Sequence, residues 1–135
     1  MKTSLVVLVA DEESAIRDLL KDYLSELDLR VILAANAAEV LRAVREHRVD
    51  IVLIDLHLPG TDAPTLFAEA VKLRPDLRQR FIFTGPIAGA KSRTEFGSML
   101  LAKPFRFEDL GNAILALCDR AANKRSQSGG QASQG

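Results

Sequence analysis

The chain alternates between two hydrophobic patterns. Short apolar runs without polar interruption, such as residues 5–10 and 51–54, are typical of parallel strands covered on both faces. Longer segments between them carry apolar residues at helical spacing. Strands that alternate with helices predict an α/β fold, in which right-handed crossovers place helices on both faces of a parallel sheet. The predicted strands are residues 5–10, 30–34, 51–54, 81–83 and 98–102.

Local residues mark the helix boundaries. Asn36 is placed to cap the second helix and Asp62 to cap the third, which ends before Pro75. The predicted helices are residues 14–27, 37–47, 63–74 and 108–122. The predicted inward positions of the first helix are Ile16, Leu19, Leu20, Tyr23, Leu24 and Leu27. Those of the last helix are Leu110, Ile114, Leu117 and Cys118.

The alternation falters after Thr84. Residues 85–97 contain three Gly and one Pro, and in a helix Gly costs about 1 kcal/mol and Pro about 3 kcal/mol relative to Ala. The fourth helix, between the fourth and fifth strands, is therefore predicted to be shortened, displaced or absent, with at most one or two turns between Ala90 and Phe96. Its loss would leave apolar side chains partly exposed, as at an interface with a partner. These side chains are Ile87, Phe96 and Met99.

Composition excludes several classes of function. Eighteen basic residues balance eighteen acidic ones, so no charge field favours nucleic acid or a membrane surface. No apolar run is long enough to span a membrane and no signal peptide is present, so a cytoplasmic protein is expected. Cys118 is the only cysteine, which excludes an internal disulfide. We expect one domain over residues 1–124 and a disordered tail, rich in Ser, Gln and Gly, over residues 125–135.

Polar residues stand at the ends of four predicted strands. Asp11 and Glu12 follow the first strand, Asp55 ends the third, Thr84 follows the fourth and Lys103 follows the fifth. Ligands bind beyond the carboxyl ends of parallel strands, where these side chains would converge. Clustered carboxylates repel one another unless a hard cation such as Mg²⁺ joins them, whereas a lysine and a hydroxyl suit phosphoryl oxygens. The set predicts transfer of a phosphoryl group to a carboxylate.

These residues, in this order, resemble the receiver domain of bacterial two-component response regulators. The resemblance rests on Asp11-Glu12, Asp55-x-x-x-Pro59-Gly60, Thr84 and Lys103-Pro104-Phe105, and it covers roughly residues 3–122. It implies a flavodoxin-like, doubly wound, five-stranded parallel sheet of order 2-1-3-4-5.

The resemblance also implies roles for individual residues. Asp55 would accept a phosphoryl group from a sensor histidine kinase or a histidine phosphotransfer protein. Thr84 and Lys103 would contact the phosphoryl oxygens, Gly85 would leave the pocket open, and a cis peptide bond would precede Pro104. The domain would not be an enzyme beyond its own Mg²⁺-dependent phosphorylation and dephosphorylation. The ligands of Mg²⁺ would be Asp11, Glu12, Asp55 and the backbone carbonyl of His57.

Two features depart from the family pattern. The family's switch pairs the threonine with an aromatic residue three positions before the lysine, and here Thr84 would pair with Leu100. The interval between Thr84 and Lys103 is also shorter than usual. In the family, one surface is formed by the fourth helix, the fifth strand and the fifth helix, which here correspond to residues 85–97, residues 98–102 and the last predicted helix, residues 108–122. This surface is therefore expected to be unusual, and it is the candidate surface for a homodimer or another partner. The expected kinase-docking residues are Ser14, Ala15, Asp18, Asp22 and Pro104.

Three functions stay open. The leading one is a stand-alone receiver that accepts a phosphoryl group and signals by protein contact in a phosphorelay, because no output domain follows. The second is a binding module on the same fold that does not depend on phosphorylation, which Leu100 and the weak fourth helix favour. The third is a phosphatase of the haloacid dehalogenase type. It requires a second Asp two positions after the nucleophile, where His57 stands, so it ranks last.

Overall fold

The computed structural model describes residues 4–86 and 93–128, with the side chains of the last helix described as far as Cys118. Strands and helices alternate along these residues, except between the last two strands. The strands are β1 (Val6–Ala10), β2 (Arg30–Ala34), β3 (Ile51–Asp55), β4 (Phe81–Gly85) and β5 (Met99–Ala102). The helices are α1 (Ser14–Glu26), α2 (Ala37–Glu46), α3 (Ala63–Leu73) and α4 (Phe107–Ser128), with a 3-10 turn at Pro75–Leu77.

The five strands form one sheet of order β2-β1-β3-β4-β5, and every pair in it is parallel. This is the doubly wound, flavodoxin-like α/β arrangement, so the predicted fold class is confirmed. Parallel strands bring all their carboxyl ends to one edge. In the register of the sheet, Asp55 lies beside Thr84, and Thr84 lies beside Leu101. The fold therefore brings residues that are distant in sequence to a single edge.

One face of the sheet packs against α2 and α3. Alternate residues of a strand point to the same face, and those on this face form one apolar cluster with the buried sides of the two helices. Burial stabilises the fold by about 1.5–3 kcal/mol for each large apolar side chain. The strand members of the cluster are Leu8, Ala10, Ala34, Val52, Ile54, Phe81 and Phe83.

The other face of β1 is covered by α1, which contacts β1 and β2. Leu20 and Leu24 are buried and lie outside the cluster on the opposite face. The prediction that Leu19 and Leu27 face inward from α1 is wrong, because they are 51% and 44% exposed. A helix on a twisted sheet buries a narrow stripe at i and i+4, so apolar character alone overestimates its width.

The predicted helix caps are confirmed. The Asn36 side chain accepts a hydrogen bond from the Glu39 backbone N–H at 2.9 Å, and Asp62 accepts one from the Thr65 N–H at 2.8 Å. Hydrogen bonding to Thr65 lowers the pKa of the Asp62 carboxyl below its ordinary value. Helix α3 ends before Pro75, as predicted, because the residue before a proline disfavours the helical conformation.

The segment before β5 is a turn. Residues 93–98 contain no helix, and Arg93 forms an antiparallel bridge with Met99. The Thr94 N–H donates to the Ser98 carbonyl at 2.8 Å, and Gly97 adopts a φ of +92° that favours glycine. The predicted shortening or loss of a helix between β4 and β5 is confirmed. The part of that prediction that concerns residues 87–92 lies outside the described residues.

The chain divides into two compact units, Met1–Phe105 and Arg106–Gly135. In the second unit, α4 buries Leu110, Ile114 and Leu117, as predicted, and Cys118 is half-buried. The helix continues to Ser128 rather than ending at Ala122 as predicted, since Arg and Gln tolerate helix, and the predicted tail boundary at residue 125 stays a prediction. Residues 129–135 lie outside the described residues. Among the helices described, none has the length and apolar character needed to cross a membrane.

Candidate functional site

Three charged side chains meet beyond the carboxyl ends of β1, β3 and β5. Lys103 Nζ lies 3.1 Å from Asp55 Oδ2 and 3.2 Å from Asp11 Oδ2. The side chain of Asp11 is 3% exposed, that of Asp55 is 11% exposed and that of Lys103 is 26% exposed. The lysine therefore bridges a deeply buried carboxylate and a carboxylate that retains a path to solvent.

Backbone donors hold the second oxygen of each carboxylate. Asp11 Oδ1 accepts a hydrogen bond from the Glu13 N–H at 2.9 Å, and Asp55 Oδ1 accepts one from the His57 N–H at 2.8 Å. Such partners offset the cost of removing ionised carboxylates from water. Burial works to lower the pKa of Lys103, but hydrogen bonds and charge from Asp55 and Asp11 outweigh it and raise that pKa. The ammonium therefore stays charged.

The sheet and the loop after β5 position Lys103. Its backbone N–H donates to the Gly85 carbonyl at 2.8 Å, which continues the β4–β5 ladder to the lysine. The predicted cis peptide bond between Lys103 and Pro104 is present. The Arg17 side chain donates to the Asp11 backbone carbonyl at 2.6 Å. Sequence reasoning did not identify Arg17, although a basic residue in the first turn after an acidic pair is a usable signal.

Thr84 and Gly85 lie at the end of β4, next to Asp55 in the sheet. Thr84 is 4% exposed, and its carbonyl accepts the Leu56 N–H at 2.8 Å. A Cβ on Gly85 would lie 3.2 Å from Leu56 Cδ1, closer than ordinary van der Waals contact. The small size of Gly85 thus accommodates Leu56, a reason for glycine that the sequence did not reveal.

The carboxylates are not gathered as a set of three. Among the described residues, no group of three or more His, Cys, Asp or Glu side chains is positioned to hold a metal ion. Glu12 is exposed, whereas Asp11 and Asp55 converge on Lys103. Lys103 therefore contacts two of the three predicted carboxylate ligands, and the role of the exposed Glu12 as a third ligand stays a prediction. The donors still fit Mg²⁺, which commonly takes one or two carboxylates together with water and a phosphate oxygen.

An aromatic cluster adjoins the predicted switch position. Leu100 is half-buried against the core and lies beside Phe83 in the sheet register. The Phe96 ring packs against the rings of Phe67 and Phe83, with centroids 5.0 and 5.2 Å apart. Phe96 and Met99 are partly buried, and the third residue of the predicted apolar surface, Ile87, lies outside the described residues. The turn before β5 thus contributes a ring to the core beside Phe67 and Phe83.

The predicted docking residues are all accessible. Along α1 the exposed positions include Leu19, which is half exposed and follows Ala15 by one helical turn. Sequence reasoning assigned Leu19 to the core because it treated every leucine of α1 as buried. The other accessible positions are Ser14, Ala15, Asp18, Asp22 and, after β5, Pro104.

Comparison with known proteins identifies the family. The sequence pattern of the response regulator receiver domain matches residues 7–115, so the chain belongs to the response regulator receiver domain family. Its fold is similar to that of a receiver domain protein (CheY-like) from Methanospirillum hungatei, with a TM-score of 0.80, 26% identity and coverage of 90% of this chain and 99% of the other.

Relatives with described roles differ in length. The chain is 26% identical to sporulation initiation phosphotransferase F of Bacillus subtilis, over 80% of this chain and 89% of that protein. It is 29% identical to the DNA-binding transcriptional regulator NtrC of Azospirillum brasilense, over 89% of this chain and 24% of that protein. It is 30% identical to the sensor histidine kinase AruS of Pseudomonas aeruginosa, over 83% of this chain and 12% of that protein. The chain therefore spans a small part of the last two relatives.

Proposed function

We propose that the chain is a phosphoacceptor of two-component signalling and that Asp55 takes the phosphoryl group. The observation that carries this proposal is the Lys103 ammonium 3.1 Å from an Asp55 carboxylate that is 11% exposed. One carboxylate oxygen of Asp55 forms the new O–P bond as the N–P bond of a phosphohistidine breaks. The electron pair of the N–P bond stays on the imidazole nitrogen.

Lys103, Thr84 and Gly85 would surround the transferred group. Charge develops on the equatorial oxygens of the phosphoryl group in the transition state, and a preorganised ammonium stabilises it without reorganisation. The second contact of Lys103, with Asp11, keeps the ammonium in place when Asp55 becomes an acyl phosphate. Thr84 would donate its hydroxyl, and Gly85 has no side chain to occupy the space.

The same edge of the sheet suits Mg²⁺. Asp11, Asp55, the backbone carbonyl of His57 and, with a side-chain movement, Glu12 would hold the ion. When bound, it supplies positive charge that offsets repulsion between the phosphoryl oxygens and the carboxylates. Removal of Mg²⁺ with a chelator is expected to abolish phosphorylation.

The donor would be a sensor histidine kinase or a histidine phosphotransfer protein. Similarity to proteins named for both roles supports this assignment. The exposed face of α1 around Leu19, together with Pro104, would dock the donor, with Asp18 and Asp22 on its polar rim. Leu19→Ala should raise the donor concentration needed for half-maximal transfer about tenfold and leave labelling by acetyl phosphate unchanged. Leu73→Ala, at a leucine 42% exposed on α3, is the matched control.

Output would pass through the region of Thr84 and Leu100 to a downstream partner or a second copy of the chain. The half-buried Leu100 beside the aromatic cluster supports this route. Light scattering with and without beryllofluoride would test the homodimer, whose expected surface includes the fifth strand.

Intact-mass measurement after incubation with Mg²⁺ and acetyl phosphate tests the whole proposal. The wild type should gain one phosphoryl group and Asp55→Asn none, while Asp62→Asn, at an exposed helix cap, should label normally. Label on Asp55→Asn would refute the site assignment. Failure of the wild type to label, under conditions that label another receiver, would favour a binding module that does not depend on phosphorylation.

A further inference from the structure

A cavity lies at the end of the sheet remote from Asp55. Its volume is about 450 Å³, and it is lined by the start of β2, by α1 and by the loop before β3. Strands rise about 3.3 Å per residue, so a strand of five residues separates this cavity from the phosphoacceptor edge by about 16 Å. The cavity therefore belongs to a different surface.

The rim of the cavity is basic. Lys21, Arg30 and Arg48 line it together with His47, and its lining residues, all in the described part of the chain, include no carboxylate. Arg48 is partly compensated by Asp50, at 3.2 Å. Lys21 and Arg30 are exposed. In a chain with no net charge, this local excess of positive charge favours an anionic partner.

The floor of the cavity is apolar and follows an open sheet edge. Three consecutive residues of β2, Arg30, Val31 and Ile32, line it, and β2 is the outermost strand on its side of the sheet. The Arg30 N–H donates to the Leu5 carbonyl at 2.9 Å, so even-numbered β2 residues direct their backbone groups towards β1. Because successive residues of a parallel strand direct their backbone N–H and C=O groups to opposite sides, the backbone groups of Val31 and Leu33 point to the open edge.

We propose that this edge of β2 docks an extended acidic segment of a partner protein, which adds to the sheet as a further strand. The backbone groups of Val31 and Leu33 would pair with the segment, the apolar floor would take its alternate side chains, and Lys21 and Arg30 would meet its carboxylates. A small anion alone would use the basic rim but not the backbone edge, so the combination favours a peptide.

Two-dimensional amide NMR on the labelled full chain tests the proposal. The probe is a short capped peptide in which Glu and Val alternate, added up to millimolar concentration. We expect saturable shifts of the Val31 and Leu33 amides, loss of binding in high salt, and a dissociation constant raised about tenfold by Lys21→Glu or Arg30→Glu. Arg78→Glu, the same charge change at an exposed site outside the cavity, should change the dissociation constant less than about twofold.

Three results would overturn the proposal. The first is no shift at Val31 and Leu33. The second is equal binding of a peptide with Lys in place of Glu. The third is an equal response to inorganic phosphate, which would assign the rim to anions rather than to a strand. Thermal unfolding of each variant verifies that it is folded, and labelling of Asp55 by acetyl phosphate should be unchanged, which separates this test from that of the proposed function.

Discussion

Two neighbouring regions of the unit Met1–Phe105 differ in how closely they match the family pattern. The charged edge formed by Asp11, Asp55 and Lys103 contains the residue types that the family pattern predicts, tied by short contacts. The segment between β4 and β5 departs from that pattern: residues 93–98 form a turn instead of a helix, and Phe96 packs into the core. Phosphoryl chemistry depends on a few charged atoms at fixed positions, whereas apolar packing can be supplied by any side chain of suitable shape that reaches the space.

The largest expected effect is loss of the cation at the charged edge. Lys103→Met should slow phosphorylation of Asp55 by acetyl phosphate at least about 10²-fold, because the transition state loses a preorganised charge. It should also lower the free energy of unfolding, since Asp11 is left buried without its partner. Labelling kinetics and urea unfolding measure the two effects. Lys72→Met, on the exposed side of α3, is the control, and equal rates in both variants would show that Lys103 has no part in transfer.

Phe96→Ala tests whether the two regions are independent. Loss of a half-buried ring that contacts Phe67 and Phe83 should lower the free energy of unfolding by about 2 kcal/mol and change labelling of Asp55 less than about threefold, because no charged group moves. Urea unfolding and labelling kinetics are the measurements, with Leu73→Ala as the control for an exposed apolar residue. A large loss of labelling in folded Phe96→Ala would contradict the independence of the two regions and show that the aromatic cluster influences the phosphorylation site.

Two glycines allow a matched comparison of the regions. Gly60, in the loop after β3, has a φ of +116°, and a Cβ there would lie 2.9 Å from Ala37 Cβ. Gly97, in the turn before β5, has a φ of +92°, and among the described residues other than its chain neighbours no heavy atom lies within 4 Å of its Cβ position. Gly97→Ala should therefore cost about 1 kcal/mol of strain, and Gly60→Ala about 2–3 kcal/mol from strain and overlap together. If thermal unfolding showed equal losses of stability for the two variants, the loop after β3 would adjust to an added Cβ as easily as the turn does.

The smallest effect is expected away from both regions. The hydrogen bond to Arg74 lowers the pKa of Asp76, so this carboxylate stabilises the fold above its unfolded pKa of about 3.9. The contribution is lost as pH falls through the lower folded-state pKa. The side chain of Asp76 is 50% exposed, which limits the contribution to about 0.5 kcal/mol. Asp76→Asn should therefore differ slightly from the wild type in urea unfolding at pH 7, and the difference should shrink as the pH falls through the lowered folded-state pKa of Asp76.

Much of the fold is predictable because its determinants are local. Uninterrupted apolar runs and helical spacing predict the five strands and the four helices, and Asn36 and Asp62 mark helix starts through hydrogen bonds that span three residues. The glycines after Thr84 likewise weaken helix wherever they stand. The errors in α1 have a common origin. Leu19 and Leu27 are apolar but exposed, because burial depends on which neighbours other elements supply.

The sequence by itself determined the order of the elements, the sheet edge at which polar residues collect and the weakness of the helix before β5, since these follow from periodicity and backbone propensity. Only the tertiary structure decided that Lys103 bridges Asp11 and Asp55, contacts that span 92 and 48 positions of sequence. It also decided that Phe96 packs into the core against Phe83 and that Gly85 accommodates Leu56. Such contacts depend on the distances between packed elements, which no local pattern encodes.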